Sequence, residues 1–495
     1  MKPQLLPPPR PATADLLYLV KERALDNLRH SSLEDFLFVV AVLGLALTAL
    51  LFINEVLLGR ALRVKRLTIP SFFVLMYLAL MSLPSIVWFY ASPNDPIRYT
   101  YFASMQSVLV MFPLGVMFAN AMFGRLSNPP QVARFFTVPL EKTADDRYAL
   151  RYWLLMIVMA MAVTTAYLTT SSYVPLIGAV TSYGEADVSM VRRAIVAEGV
   201  TIHYGHALTA RLLLPFCLVY AYYMAHLYGG RWRLLFWPTL GFVAFVSSLT
   251  FDRMFPFSVL LFLVLAVYFK HDDLALRAAA NGGRSRRGLS TARLGFYVVA
   301  LLLVGMLVGG IVSLTQFNKP MDLEIIRVTA TDFLFNRVVL DPSYMAYLYY
   351  EEINEPSKFL YGKALHVVVS RALGVEFYPL ISPSFVASLW TNFGWFGVLF
   401  GSALIGFVLQ FIQVSVFDRK TIPALTCYII LLLNGAWIIY GHLMATMVFS
   451  VYAPSILILM HLKRRRKAAA RAAARAAKRL ERVRPHPPQV AAHPP

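Results

Sequence analysis

The chain has 495 residues, of which 58% are hydrophobic and 14% aromatic, and its mean hydropathy is +0.61. No single soluble core can bury that apolar content, so the composition excludes a soluble globular enzyme and predicts an all-α polytopic membrane protein. Half of the formal net charge of +20 lies in a basic C-terminal tail, which does not indicate a nucleic-acid partner.

Eleven apolar segments follow one another along the chain, each near the roughly 20 residues that cross about 30 Å of hydrocarbon. Lipid offers backbone groups no hydrogen-bond partner, so every span is expected to be helical. The sixth and seventh are short and form either a tight helical hairpin or a broken re-entrant pair. The predicted spans are 36–58, 69–90, 103–123, 152–170, 208–227, 234–249, 255–269, 294–314, 385–414, 422–440 and 442–460.

Polar segments flank this transmembrane domain, which covers residues 36–462. The segment 1–35 begins with prolines, lacks the apolar core of a signal peptide and contains a candidate interfacial helix at 15–29. In the tail, residues 463–484 hold eleven bases and one acid. They suit either a basic helix on anionic inner-leaflet lipid or a solvated tail. The proline-rich end, 485–495, is predicted to be disordered.

Basic residues in the short loops predict the orientation of the chain, because such loops stay cytoplasmic during insertion. Lys and Arg follow the first, third, fifth, seventh, ninth and last spans. This alternation places the N-terminus outside and the C-terminus in the cytoplasm. Segments 171–207 and 315–384 then form two large outer loops, and the second of them, between helices 8 and 9, is expected to be helical in part.

Cofactor signals are absent from the sequence. Cys217 and Cys427 both fall inside predicted spans, so neither a disulfide framework nor a cysteine metal site is indicated. No Walker loop, dinucleotide fingerprint or zinc-protease motif occurs. We therefore expect no cofactor and no metal.

Arginines near the outer side are candidate phosphate ligands, because guanidinium binds phosphate in a bidentate fork. Arg192 and Arg193 lie in the first outer loop, where they alternatively face lipid headgroups. Arg211 lies just inside the fifth span, where it either serves a ligand or reaches back to the interface. Arg253 follows Asp252 in the turn between spans six and seven, so its partner is either that carboxylate or a lipid-linked phosphate.

The second outer loop combines tyrosines with charged residues. Tyrosine rings cover the C–H faces of sugars while polar groups bind their hydroxyls, so Tyr344 is a candidate glycan contact, although a tyrosine stripe also serves packing. His366 is the histidine of this loop and a candidate proton acceptor, with Glu376 as the alternative. Arg337 and Arg371 are further candidate phosphate ligands in the same loop.

The residues after this loop form the most specific pattern in the chain, PS(x)7NFGxxGxxxG, from Pro383 to Gly401. Gly397 and Gly401 make a GxxxG surface that lets another helix approach closely. This pattern, its position after a large outer loop and the arginine-bearing turn at Arg253 resemble the O-antigen polymerase family, the Wzy-type oligosaccharide repeat-unit polymerases. The spaced Arg and Gly pattern in outer loops of some members is only approached here, by Arg193 and Gly205.

The resemblance implies a glycosyltransferase of the bacterial inner membrane that polymerises undecaprenyl-diphosphate-linked repeat units at the periplasmic face. Fixed arginines would replace a metal in holding the departing diphosphate. Arg253 and Arg211 are assigned this role, with Arg192 and Arg337 assisting and His366 or Glu376 as the base. Its expected partners are lipid-linked glycans, membrane lipids, a chain-length regulator and a flippase. An O-antigen ligase and a lipid-linked oligosaccharide flippase remain the alternative functions.

Overall fold

The computed structural model describes residues 26–27, 31–59, 62, 67–126, 130–141, 146–171, 174, 205–249, 254–280, 340–361, 384–417, 420–440 and 474. Within these ranges the regular elements are helical, apart from one isolated bridge between Glu141 and Thr421. The α-helices are α1 (Leu33–Phe52), α2 (Ile69–Tyr77), α3 (Pro84–Ala91), α4 (Ile97–Ala121), α5 (Pro130–Thr137), α6 (Asp146–Thr170), α7 (Leu214–Tyr228), α8 (Arg231–Ser248), α9 (Met254–Ala280), α10 (Asp341–Glu352), α11 (Phe385–Val416) and α12 (Ile422–Tyr440).

Helical segments in the described ranges are long and apolar enough to cross a membrane in six places. These confirm a helical membrane-type architecture. The helices α8, α9 and α12 coincide with three further predicted spans. The predicted spans 294–314 and 442–460 lie outside the described residues, so the count of eleven stays a prediction. The six candidate spans are Leu33–Leu57, Ile69–Ala91, Ile97–Ala121, Ala149–Thr170, Gly205–Tyr228 and Phe385–Ser415.

Caps and prolines in the sequence explain several local features of these helices. The hydroxyl of Ser32 accepts a hydrogen bond from the N–H of Asp35 at the start of α1. Two π-helical turns, Leu78–Ser82 and Thr209–Leu213, each end two residues before a proline. Those prolines, Pro84 and Pro215, offer no N–H to the carbonyl four residues earlier, which favours a wider turn at that point.

The helices α4 and α11 cross with their backbones in contact. A methyl group added at Gly115 would overlap the carbonyl oxygen of Ala403, and one added at Gly406 would overlap the carbonyl oxygen of Phe112. The two backbones therefore touch, as small residues allow in membrane helices. This crossing fixes the position of α11, which carries the Pro383–Gly401 pattern.

Polar contacts join residues that the loop charges assign to the same side of the membrane. On the predicted outer side, Arg98 forms a buried ion pair of 2.9 Å with Asp35. On the predicted cytoplasmic side, Asp273 accepts a 2.6 Å hydrogen bond from the N–H of Leu140 and pairs with Arg277 at 2.8 Å. The contacts are thus consistent with the predicted alternation of the spans.

Candidate functional site

The helix α10 brings part of the second predicted outer loop onto the membrane helices. Pro342 occupies its first turn, where a missing N–H costs nothing. Tyr347, Tyr349 and Tyr350 are buried. The hydroxyl of Tyr101 in α4 donates to the carbonyl of Ser343 at 2.9 Å. The predicted tyrosine stripe is therefore largely a packing surface that anchors α10 to α4.

Tyr344 is the half-buried member of this stripe. Its ring stacks on Trp88 of α3 with centroids 4.4 Å apart. One turn further along α10, the hydroxyl of Tyr347 donates to Asp95 in the connection between α3 and α4, at 2.5 Å. Tyr344 consequently lies on a fixed aromatic base beside a polar edge, an arrangement that suits the stacking of a sugar ring.

The Pro383–Gly401 pattern holds the end of α10 through what we call the Trp390 junction, formed by residues 350–361 and 384–394. The indole N–H of Trp390 donates to the carbonyl of Ile353 at 2.8 Å, and its ring stacks on Tyr350 at 4.5 Å. The backbone N–H of Leu360 donates to the carbonyl of Thr391 at 2.9 Å. The hydroxyl of Ser384 caps the start of α11. The contacts of Trp390 and Thr391 tie the outer-loop segment to α11, and the Ser384 cap fixes where α11 begins.

The glycines of the pattern are required for different structural reasons, Gly394 at the Trp390 junction and Gly397 and Gly401 in the part of α11 that follows it. Gly394 interrupts α11 with φ +56° and ψ −141°, a conformation open essentially to glycine alone. A methyl group there would lie 2.6 Å from Cζ of Phe359. Gly397 and Gly401 face Leu389, whose Cδ2 would lie 2.5 Å from a Cβ at Gly401. The prediction that this GxxxG surface receives another helix is therefore corrected, since the preceding part of α11 folds back onto it.

Carboxylates give the rim of α10 an acidic character. Glu351 and Glu352 are exposed, and Asp95 lies close enough to influence Glu351. Partial burial raises the pKa of Glu351, and the charges of Asp95 and Glu352 raise it further. Burial and the hydrogen bond to Asp95 also raise the pKa of Tyr347. Such a rim offers hydrogen-bond acceptors for hydroxyl groups and repels anions.

A second candidate site lies at the start of the Gly205–Tyr228 span, which carries His206 and Arg211. Arg211 lies in the π-helical turn Thr209–Leu213 and is half-buried between buried neighbours. His206 is 1% exposed, and its imidazole stacks on Tyr167 of α6 with centroids 4.1 Å apart and planes 14° apart. Tyr167 belongs to one apolar cluster with Leu249, four residues before Arg253 in the chain. Arg211 thus lies near helix ends that lead into the predicted outer turns.

All seven of the remaining predicted site residues lie outside the described residues. The described ranges do not include Arg192, Arg193, Arg253, Arg337, His366, Arg371 or Glu376. In the part of the chain that the structure describes, no cluster of His, Cys, Asp or Glu could hold a metal ion.

Sequence reasoning did not single out the contacts of His206, Trp390 or Phe359. The NFG triplet marks the position of the junction, but an isolated glycine inside an apolar helical run is tolerated and does not by itself predict the break at Gly394. No sequence signal identifies Phe359 as the residue whose ring lies over Gly394. That contact depends on the fold of the outer loop.

Comparison with protein-family models, with curated proteins and with solved structures returns no match for this chain. The resemblance to O-antigen polymerases therefore remains a prediction from the sequence pattern.

Proposed function

We propose that the chain is a glycosyltransferase that polymerises undecaprenyl-diphosphate-linked oligosaccharide repeat units at the periplasmic face of the bacterial inner membrane. The observation that carries the proposal is the Pro383–Gly401 pattern, two of whose fixed positions act at the Trp390 junction: Ser384 caps the start of α11 and Gly394 interrupts it beneath Phe359. The junction ties the end of α10, the helix that carries Tyr344 and the acidic rim, to α11.

The reaction requires an acceptor hydroxyl to attack the anomeric carbon of the donor glycan as the bond from that carbon to the diphosphate oxygen breaks. The proton of the hydroxyl passes to a base, for which His366 is the candidate and Glu376 the alternative. The diphosphate leaves with its electron pair, and guanidinium groups stabilise that charge. Arg253 and Arg211 fill this role in the proposal, with Arg192 and Arg337 in support.

Arg211 is the proposed diphosphate ligand for which the structure supplies a physical argument. A charged side chain inside a span costs about 2.5–3.5 kcal/mol at the centre of the helix and less toward its edge. Arg211 lies in a π-helical turn, and such turns occur frequently at functional sites. The helix is therefore distorted at Arg211, the residue that we propose as a diphosphate ligand.

The test is incubation of the purified protein with one synthetic lipid-linked repeat unit, without added metal, followed by gel sizing. The unaltered protein is expected to form a ladder of chain lengths, whereas Arg253→Ala and Arg211→Ala are expected to abolish it. Arg233→Ala removes an exposed arginine of the predicted cytoplasmic side and is expected to leave the ladder intact. Full activity of Arg253→Ala would remove the central assignment.

Deletion of the protein separates this proposal from its two rivals. Loss of a polymerase leaves single repeat units on the surface acceptor. Loss of a ligase leaves long chains on undecaprenyl diphosphate, and loss of a flippase leaves unpolymerised units in the cytoplasm.

A further inference from the structure

Both backbone polar groups of Leu140, in the connection between α5 and α6, are held by side chains of α9 on the predicted cytoplasmic side. The N–H of Leu140 donates to Oδ1 of Asp273 at 2.6 Å. The carbonyl of Leu140 accepts a hydrogen bond from Arg277, which also donates to Oδ2 of Asp273 at 2.8 Å. Two side chains of α9 thus satisfy this stretch of backbone and bind the connection to that helix.

The next residue of the connection is bound to a different element. The N–H of Glu141 donates to the carbonyl of Lys420 at 2.8 Å, and Glu141 forms the isolated bridge with Thr421. Lys420 lies in the connection between α11 and α12, and its side chain is fully buried. Its ammonium group pairs with Asp272 of α9 at 3.1 Å. The connection after α5 therefore joins α9 to the α11–α12 connection, and the ion pair of Lys420 joins the same two elements directly.

The helix α5 adds apolar contacts to these polar ones. Phe135 is 1% exposed, and the centroid of its ring lies 5.0 Å from that of Tyr428 in α12 and 5.8 Å from that of Phe417 next to the end of α11. The hydroxyl of Tyr428 donates to the carbonyl of Leu67, shortly before α2, at 2.6 Å. Residues 130–141, which we call the latch, consequently contact α9, the α11–α12 connection and α12 at once.

Movement of α9 away from α12 would break several of these contacts together. The side chains of Asp273 and Lys420 have no exposed surface. A buried charge that loses its partner destabilises a protein strongly, because its cost of desolvation is no longer compensated. Since the latch and the Lys420–Asp272 pair bridge the same elements, both have to be released before these helices separate.

We infer that the latch keeps the predicted cytoplasmic ends of α9, α11 and α12 together throughout the working cycle of the protein. A transporter with alternating access separates its helices on one side of the membrane and then on the other. The latch opposes that movement on the predicted cytoplasmic side. The inference goes beyond the proposed function and does not depend on the chemistry of chain growth.

The first test locks the latch with a disulfide in a variant that carries Glu141→Cys and Thr421→Cys. Paired strands lie about 4.8 Å apart, and disulfides join residues whose Cα atoms are roughly 4.4–6.8 Å apart, so the bridge allows the bond. The purified double variant is compared in its oxidised and reduced forms in the gel assay, and mass spectrometry measures the cross-linked fraction. Glu141→Cys alone controls for oxidation itself.

Both forms of the double variant are expected to give the same ladder of chain lengths, because the latch is already closed in the working protein. Loss of the ladder on oxidation and its return on reduction would overturn the inference, since the latch would then have to open during the cycle.

A second measurement needs no activity. Cys427 of α12 is 1% exposed, and the rate at which a small membrane-permeant maleimide labels it reports opening beside the latch. In the unaltered protein this rate is expected to be low and to stay unchanged when the synthetic lipid-linked repeat unit is added. Lys420→Met removes the ion pair with Asp272 and should raise the rate by about tenfold, because labelling of a buried thiol follows the population of the opened form. Faster labelling on addition of the repeat unit, or an unchanged rate in Lys420→Met, would overturn the inference.

Lys358→Met is the matched control, because it removes an exposed lysine that donates to Asn354 on the predicted outer side. It is expected to leave the labelling of Cys427 unchanged. Cys217 of α7, which has no exposed surface, separates local opening from global unfolding, since only global unfolding should accelerate the labelling of both thiols. If the double-cysteine variant does not fold, the labelling of Cys427 decides the question.

The outcomes for the latch and for the proposed function are distinguishable. A missing ladder from the unaltered protein contradicts the polymerase, whereas slow labelling of Cys427 that Lys420→Met accelerates still supports the latch. A ladder that the reduced double variant forms and oxidation abolishes supports the polymerase and overturns the latch.

Discussion

The ring of Phe359 lies directly over Gly394, in the space that any other residue at position 394 would need for its side chain. Phe359 belongs to the segment that leaves α10, and Gly394 interrupts α11. Their contact joins the outer-loop segment to the most specific sequence pattern of the chain. It explains why a glycine is required at this position on two independent grounds, backbone conformation and space.

Gly394→Ala should destabilise the protein and reduce chain building. The substituted backbone costs on the order of 1–3 kcal/mol at this φ and ψ, before any displacement of Phe359. The measurement is thermal unfolding in detergent, together with the gel assay.

Gly241→Ala is the control for that change, because Gly241 lies inside α8 with open space around it. It should be neutral or stabilise by up to about 1 kcal/mol, as expected for alanine in a helix. Adding Phe359→Ala to Gly394→Ala should recover the part of the loss that arises from the ring and leave the backbone part. Equal stability of Gly394→Ala and the unaltered protein would contradict the role of the kink.

Asp273→Asn should destabilise the predicted cytoplasmic side by about 3 kcal/mol, because it removes one partner of a buried ion pair. Asp273 has no exposed side-chain surface and accepts from Arg277, with His226 3.7 Å away. Glu141→Gln changes an exposed side chain of the same region and should have little effect. Thermal unfolding of both variants distinguishes a structural ion pair from a dispensable one.

The stability that Asp273 provides should depend on pH in a defined direction. Burial favours a higher pKa, but the neighbouring His226 side chain, the Arg277 guanidinium and the hydrogen bond from the Leu140 N–H outweigh it and hold the pKa below the ordinary 3.8. A carboxyl whose pKa falls on folding contributes fully above its unfolded pKa and loses that contribution as pH falls through the folded value. The difference in unfolding temperature between Asp273→Asn and the unaltered protein should therefore shrink below pH 3.8.

Glu351→Gln should stabilise the protein at neutral pH, whereas Asp273→Asn should destabilise it. The pKa of Glu351 is raised above the ordinary 4.5 by partial burial and by the charges of Asp95 and Glu352. Its charged form is therefore unfavourable in the fold, and stability is lost as pH rises through the raised pKa. Glu351→Gln should raise the unfolding temperature at pH 7 and leave it unchanged at a pH below 4.5. A lower unfolding temperature at pH 7 would contradict the crowding of carboxylates on α10.

Lys358→Cys should react with a membrane-impermeant maleimide on intact spheroplasts, because Lys358 is exposed in the segment assigned to the outer face. Arg233→Cys, exposed on the predicted cytoplasmic side, should react only after permeabilisation. The native Cys217 and Cys427 are buried, so the background should be low. Labelling of Lys358→Cys from the cytoplasmic side alone would reverse the orientation and contradict a periplasmic site.

Hydropathy was sufficient to locate the long apolar helices that the structure describes, because each span must satisfy its own backbone in lipid, but it did not predict the short helix α5. The predicted segments 69–90 and 385–414 agree with candidate spans Ile69–Ala91 and Phe385–Ser415 to within a few residues. The sequence also located a helix in the second outer loop, where α10 begins at Asp341. It could not show that most tyrosines of α10 are buried, because burial depends on which helix lies opposite.

The arginines and the Pro383–Gly401 pattern were visible in the sequence by themselves, since residue type reveals the cost of charge in a span and spacing reveals small residues at a packing surface. Only the tertiary structure decided that Gly401 receives Leu389 of its own helix, that Phe359 covers Gly394 and that His206 stacks on Tyr167. The physical reason is that hydropathy and local backbone preferences act between near neighbours in the chain. Which distant side chain fills a given space is set by the packing of all the helices together.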